Sequence, residues 1–212
     1  MDGLYVGPYA FYKNIRFLVP AIFMVATAFL VWDEFFTIHA IWGFNPDYLQ
    51  GLYLGSLPIE EVLFFFIIPY CCVFIYEVLI AYFPNVSLQT TTKIVSLIIV
   101  LFGTTLALTH LDNWYTLSAC ALAVLIVVFG MQGKYIWYPR AIFAFLVAQL
   151  PFLIVNGFLT AIPVVQYNDA ENLGIRIYTI PFEDAFYGML LVLMNIAIYE
   201  KVKSTHGALR EK

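Results

Sequence analysis

Six stretches of this 212-residue chain stay apolar for roughly twenty residues each, the length at which an α-helix spans the hydrocarbon of a bilayer. They are predicted over residues 17–37, 58–83, 93–111, 115–131, 138–162 and 181–202. No water-solvated fold can accommodate them all. Hydrophobic residues make up 63% of the chain and charged ones 11%, well under the ~25% of a soluble domain, so too little polar surface remains to cover a core. The expected fold is an all-α polytopic membrane bundle. Residues 1–12 lack the basic and apolar regions of a signal peptide.

Charge placement orients the bundle. Lys13, Arg16, Lys93, Lys134, Arg140, Lys201, Lys203, Arg210 and Lys212 fall on one set of helix ends, and Arg176 alone on the other. By the positive-inside rule both termini are expected on the cytoplasmic side, in the cell's inner membrane, with the loops after the first and fifth helices facing outward. The basic residues are too scattered for a nucleic-acid surface. Cys71, Cys72 and Cys120 all sit within apolar runs and read as packing residues.

The two outer loops each lead into a helix that opens Pro-x-Glu-acid: Pro58-Ile59-Glu60-Glu61 and Pro181-Phe182-Glu183-Asp184. The offset between them, 123 residues, also aligns Phe29 with Phe152, Thr37 with Thr160, Asn45 with Asn168, Gly51 with Gly174, and Tyr76-Glu77 with Tyr199-Glu200. The chain therefore carries an internal repeat. The matched helices cross in the same direction, so the copies are expected to be parallel, related by an axis along the membrane normal. The expected organisation is a first repeat over residues 1–92, a linker helix over 93–114 and a second repeat over 115–212. Under the same offset the fourth helix pairs with residues at or before the start of the chain, so the first repeat is expected to lack its opening helix.

Acidic residues converge on the outer side. Proline followed by acids is an ordinary helix start, because the ring costs no hydrogen bond there and the carboxylates complement the dipole. Near hydrocarbon, however, each acid costs about 2.5–3.5 kcal/mol on insertion scales, and the motif occurs twice at one depth. With Asp33 and Glu34 at the end of the first helix and Asn45, Asn156 and Asn168 nearby, Glu60, Glu61, Glu183 and Asp184 form a predicted polar cluster. Neighbouring residues on a helix point about 100° apart, so Glu60 and Glu61 cannot both face one pocket. The identical pair, Glu60 and Glu183, is the expected inward one. Tyr76-Glu77 and Tyr199-Glu200 lie about 24 Å further along, near the opposite face, and read as interfacial anchors.

His39, His110 and His206 have no ligand spacing, and no diphosphate-magnesium run exists, so no metal site is expected. No glycine-rich phosphate loop and no mid-helix lysine point to a nucleotide, a Schiff base or any other cofactor. Carboxyls, amides and aromatic rings remain, the last at 18% of the chain. That set suits protonation of a carbon–carbon double bond in an apolar substrate. A carboxyl beside another in a dry site can keep a proton at neutral pH, and aromatic faces steady a carbocation by about 0.5–2 kcal/mol each.

Trp32-Asp33, Trp42-Gly43-Phe44-Asn45-Pro46, the segment from Pro58 to Phe65, and Ile175-Arg176-Ile177 leading to Ile180-Pro181-Phe182-Glu183-Asp184 resemble the membrane-integral lycopene cyclases over about residues 10 to 202. That family occurs in some bacteria as two three-helix subunits or one fused chain, and as the cyclase half of fungal bifunctional carotenoid enzymes. The resemblance implies an intramolecular lyase or isomerase that closes the linear ends of lycopene into β-ionone rings without net redox change. It puts the family's essential acids among Glu60, Glu61, Glu183 and Asp184, and implies a carotenoid substrate, a lipid surround and association with other carotenoid enzymes. A small-solute transporter built from parallel three-helix repeats is the alternative, but such transporters place polar groups near the midplane and break matching helices. Here the acids lie at the outer ends, and Pro69 and Pro151 have Val192 and Ala28 as partners. A structural partner of another carotenoid enzyme is the third reading.

Overall fold

The computed structural model describes residues 11–210. Six helices run α1 Phe11–Ile38, α2 Ile59–Tyr82, α3 Gln89–Thr109, α4 Trp114–Gln132, α5 Trp137–Ala161 and α6 Asp184–Arg210. All six are long and apolar enough to cross a membrane. At the basic end the helices outrun the apolar stretches: α1 takes in Lys13 and Arg16, and α6 continues through Lys201 and Lys203. Long cationic side chains can lie along a helix and reach the polar boundary, so the apolar run marks the crossing and not the helix end. The outward surface is greasy, with Val31, Leu101 and Leu150 each more than two-thirds exposed. The interior is lined with small residues such as Ala21, Ala119, Ala123 and Ala141, which let helix backbones approach closely in lipid, where apolar attraction between helices is weak.

Six short strands lie at the acidic end: β1 Trp42–Phe44, β2 Tyr53–Leu54, β3 Leu57–Pro58, β4 Val165–Tyr167, β5 Arg176–Ile177 and β6 Ile180–Pro181. β2 pairs with β3, and β5 with β6, as hairpins in the same register under the 123-residue offset. β1 and β4, also offset equivalents, pair with each other antiparallel: Trp42 with Tyr167, Gly43 with Gln166, Phe44 with Val165. This register is its own mirror under exchange of the repeats, so a pseudo-twofold axis passes through the Gly43–Gln166 pair. Backbone bonds at the strand ends repeat the exchange: Asn45 N–H donates to Val164 O at 2.9 Å, and Asn168 N–H to Ile41 O at 3.0 Å. Helix packing follows the axis too, with α1 against α6 and α2 against α5, each repeat embracing the other. α3 packs mainly along α4. The offset counterpart of α4 falls at residue 9 and before, outside the described residues.

At the basic end Tyr76 donates to Glu200 Oε1 at 3.0 Å and Tyr199 to Glu77 Oε1 at 2.5 Å, a reciprocal exchange between repeats. Both tyrosines are buried, so the expectation of interfacial anchors is corrected: the two dyads clasp α2 to α6. Lys203 adds a 2.8 Å contact to Glu77 but stands 3.9 Å from Glu200.

The hairpin turns differ in one instructive way. Each turn's first residue has positive φ, 67° at Gly55 and 61° at Tyr178, its offset partner. A Cβ on Gly55 would lie 2.6 Å from Glu34 Oε1, because the Glu34 carboxylate covers that turn and accepts the Ser56 N–H at 3.1 and 3.0 Å. In the second repeat Gly157 replaces Glu34, and the Tyr178 ring approaches it instead. Each turn thus has one side chain over one glycine, with the roles swapped.

Two stability outcomes are expected in thermal unfolding of the protein in detergent micelles. Tyr76→Phe should cost about 1–3 kcal/mol and more than Tyr199→Phe, since Glu77 keeps Lys203 whereas Glu200 has only its distant ammonium; equal, negligible losses would remove the clasp. Gly55→Ala should cost about 1–3 kcal/mol from the left-handed backbone together with the displaced Glu34, whereas Gly43→Ala, with open space around it, should be milder.

Candidate active site

Where α2 and α6 begin, the first glutamate of each motif turns back to its own loop. Glu60 Oε1 accepts the Gln50 N–H at 2.7 Å, and Glu183 Oε1 accepts the Leu173 N–H at 2.7 Å, ten residues back in each case. Gln50 and Leu173 are offset equivalents, so this is one interaction made twice. Glu183 also takes the Thr116 hydroxyl from α4 at 2.6 Å and is fully buried. Neither glutamate lines the central cavity. The expectation that Glu60 and Glu183 face inward is therefore corrected. In α2 the helical turn of about 100° then swings Glu61 toward the cavity, and Asp184, the first residue of α6, reaches it beside the loop-bound Glu183.

That interior space is a cavity of about 260 Å³ bordered by Asp33, Glu61 and Asp184, with Asn156, Trp42 and Tyr115 around them. Among the described residues, no lysine, arginine or histidine lines it. Asp184 is firmly held: Tyr115 donates to Oδ1 at 2.5 Å, Asn156 to Oδ2 at 2.7 Å and Tyr167 to Oδ2 at 3.0 Å. Burial, then the neighbouring Asp184 carboxylate, push the Tyr167 phenol well above its ordinary pKa, so it stays a donor. Asp33 takes the Tyr187 hydroxyl on Oδ1 at 3.3 Å, while its buried Oδ2 has no partner among the described residues. Glu61 makes no side-chain hydrogen bond to any described residue and presents its carboxyl to the cavity.

The remaining members of the predicted cluster lie elsewhere. Asn45 and Asn168 close equivalent turns, accepting the Asp47 and Ala170 N–H groups at 3.1 Å each. Asn168 also donates to Ala40 O across the repeat boundary. Glu34 serves the hairpin described above. Sequence reasoning missed the three phenols, although the repeat held a signal: Tyr167 and Tyr187 align with Phe44 and Phe64, so hydroxyls were added to one copy only. The offset puts the counterpart of Tyr115 before residue 1.

Aromatic rings close the acidic end of the cavity. Trp42 meets Tyr115 edge-on at 5.0 Å and Tyr187 at 5.9 Å, and Tyr115 stacks on Tyr167 at 6.1 Å. Away from the acids the cavity follows the α2–α5 seam past Phe64, Phe152 and Ile68 to Ile75. Cys71, Pro151 and Val155 border it and are exposed, so the seam opens sideways, toward the position of lipid. The twofold-related seam between α1 and α6 is filled instead. Trp32 occupies the position equivalent to Val155 and packs on Tyr187 at 5.0 Å, as does Phe29. Of two equivalent clefts, one is open and one plugged.

The sequence that builds this cleft matches a family model. The family model described as lycopene cyclase matches residues 4–79 and 112–202, covering both acidic motifs and every residue that lines the cavity. No curated protein and no solved structure matches the chain. Residues 80–111, between the matched segments, contain α3. On this match and its six membrane-length helices, the chain is an integral membrane protein that belongs to the lycopene cyclase family.

Proposed function

We propose that the protein is a lycopene β-cyclase that closes each linear end of its substrate into a β-ionone ring by acid catalysis, without net redox change, in a single cavity. The observation that carries this reading is the end-on meeting of an apolar, laterally open seam with three carboxyls and, among the described residues, no cation. At about 260 Å³ the cavity lies below the ~300–1,000 Å³ of pockets that enclose a whole drug-sized ligand, which suits one end of a long polyene whose remainder stays along the seam and in lipid. Family membership supplies the carotenoid substrate class.

The three acids differ in how they are held, and the proposed roles follow. Carboxyls that share one apolar cavity repel as anions, so the cluster keeps a proton. Glu61, unhindered by partners, delivers that proton to the terminal double bond. The tertiary cation is attacked by the nearer internal double bond, which closes the six-membered ring and moves the charge into it. Asp33, with a free Oδ2, takes the proton lost when the ring double bond forms, and transfer back to Glu61 restores the site. Asp184, fixed by three donors, sets the field and orients Tyr115 and Tyr167. The rings of Trp42, Tyr115 and Tyr187 face the developing charge, each worth about 0.5–2 kcal/mol. The apolar seam excludes the water that would quench it. Glu60 and Glu183 position their neighbours through the loops. With one open cleft, the two ends of a symmetrical substrate are processed in turn. We place the protein in the inner membrane with its basic ends and C-terminus in the cytoplasm, on the lysine and arginine asymmetry.

Expression in a lycopene-accumulating host with chromatography of the pigments tests the assignment. Wild type should yield the bicyclic product; persistent lycopene with correctly inserted protein would overturn the function. Glu61→Gln should lower conversion at least about 100-fold, the scale of losing a general acid. Glu60→Gln should retain substantial activity, because the amide oxygen still accepts the Gln50 N–H; the reverse ranking would return the acid role to Glu60. Val155→Trp, which copies Trp32 into the open seam, should block conversion while leaving micelle thermal stability within about 1 kcal/mol of wild type, as expected of an exposed site.

A further inference from the structure

At the opposite end of the bundle, a second concavity of about 690 Å³ lies among α3, α4 and α5. Among the described residues, Lys93, Lys134 and Arg140 line it, no acidic residue does, and none of the three cations forms an ion pair. α3 begins here without a side-chain cap, so its free N–H groups add positive potential. The floor is built rather than accidental. Tyr138 and Ser96, both buried, are hydrogen-bonded at 2.7 Å, and the tyrosine ring lies against Gly130, where a Cβ would come within 2.2 Å of it. Thr92, 6% exposed, lines the concavity with a hydroxyl that has no partner among the described residues. The rim is apolar, with Ile136 82% exposed and Val86 47%.

We propose that this concavity binds the phosphate headgroup of an anionic phospholipid. Three cations without an ion pair among the described residues, the uncapped start of α3 and the unpartnered Thr92 hydroxyl call for a compact oxyanion, and basic pockets between transmembrane helices are suited to lipid headgroups. The exposed isoleucine and valine at the rim favour a phosphate that carries acyl chains over a free one, since they gain nothing from inorganic phosphate. The site stands apart from the carboxyl cavity and does not depend on the catalytic proposal.

Native mass spectrometry of the delipidated full chain, titrated separately with phosphatidylglycerol and phosphatidylcholine, reads the affinity directly. Phosphatidylglycerol should bind with a saturable single-site preference. Each of Lys93→Gln, Lys134→Gln and Arg140→Gln should weaken it about fivefold, and Thr92→Val should weaken it by a similar factor without altering charge. Phosphatidylcholine affinity should be unchanged in every variant. Equal affinity of wild type for the two lipids would overturn the proposal whatever the variants do. So would unchanged phosphatidylglycerol binding in all four variants. Full displacement by millimolar inorganic phosphate or pyrophosphate would show a free-anion site and overturn the lipid assignment.

Discussion

A carboxylate that accepts a backbone N–H ten residues behind it, once at Glu60 and once at Glu183, governs the acidic end of this molecule. Loops at a membrane boundary must satisfy their polar backbone within the protein, because the adjoining hydrocarbon offers no partners. Each clasp does this for one amide and at the same stroke fixes the rotational phase of the helix that follows. Glu61 and Asp184 then line the cavity, and the tyrosines converge on Asp184 and Asp33. The most regular feature of the motif thus holds the loop, and the residue that lines the cavity is its less regular neighbour, Glu in one copy and Asp in the other.

Much of this was legible in the sequence, for physical reasons. Lipid demands long apolar helices, so six spans could be counted, with their ends placed to within a few residues except at the basic ends of α1 and α6. The 123-residue offset, first seen in side chains, reappears in the hairpins, turns and strand register. Identity between copies did not reveal role. It marked Glu60, Glu183, Asn45 and Asn168, residues that close the same turns in both halves, because conformation is what the repeats share. The differences carried the asymmetry: Phe44 against Tyr167, Phe64 against Tyr187, Asp33 against Asn156, Val155 against Trp32. Which ring fills which space depends on packing across the axis, and no local pattern reports that. Tyr76 and Tyr199 were misread likewise, since a tyrosine near a membrane face is ordinarily an anchor and only the partner helix shows it to be a clasp.

A symmetrical scaffold here supports an unsymmetrical site. With both seams open, the three carboxyls would be reached from two sides and the hydroxyls would be shared between two half-equipped approaches. Plugging one seam with Trp32 and concentrating phenols around Asp184 leaves one entrance, one anchored acid and one unpartnered acid. The differentiation leaves the backbone register alone, because each change is confined to a side chain.

The pairing of β1 with β4 carries a further implication. A strand whose register maps onto itself under a twofold is as good a partner for its own duplicate as for the equivalent strand in the other repeat. Either half of the molecule, as a separate polypeptide, would therefore present an edge able to recruit a second copy of itself in the same geometry. Joining the halves through α3 replaces an encounter between molecules by one within a chain, at an effective concentration that separate subunits would rarely match. Covalent continuity thereby ensures that the two unlike halves meet each other rather than their own copies, which is what a single entrance flanked by unequal acids requires.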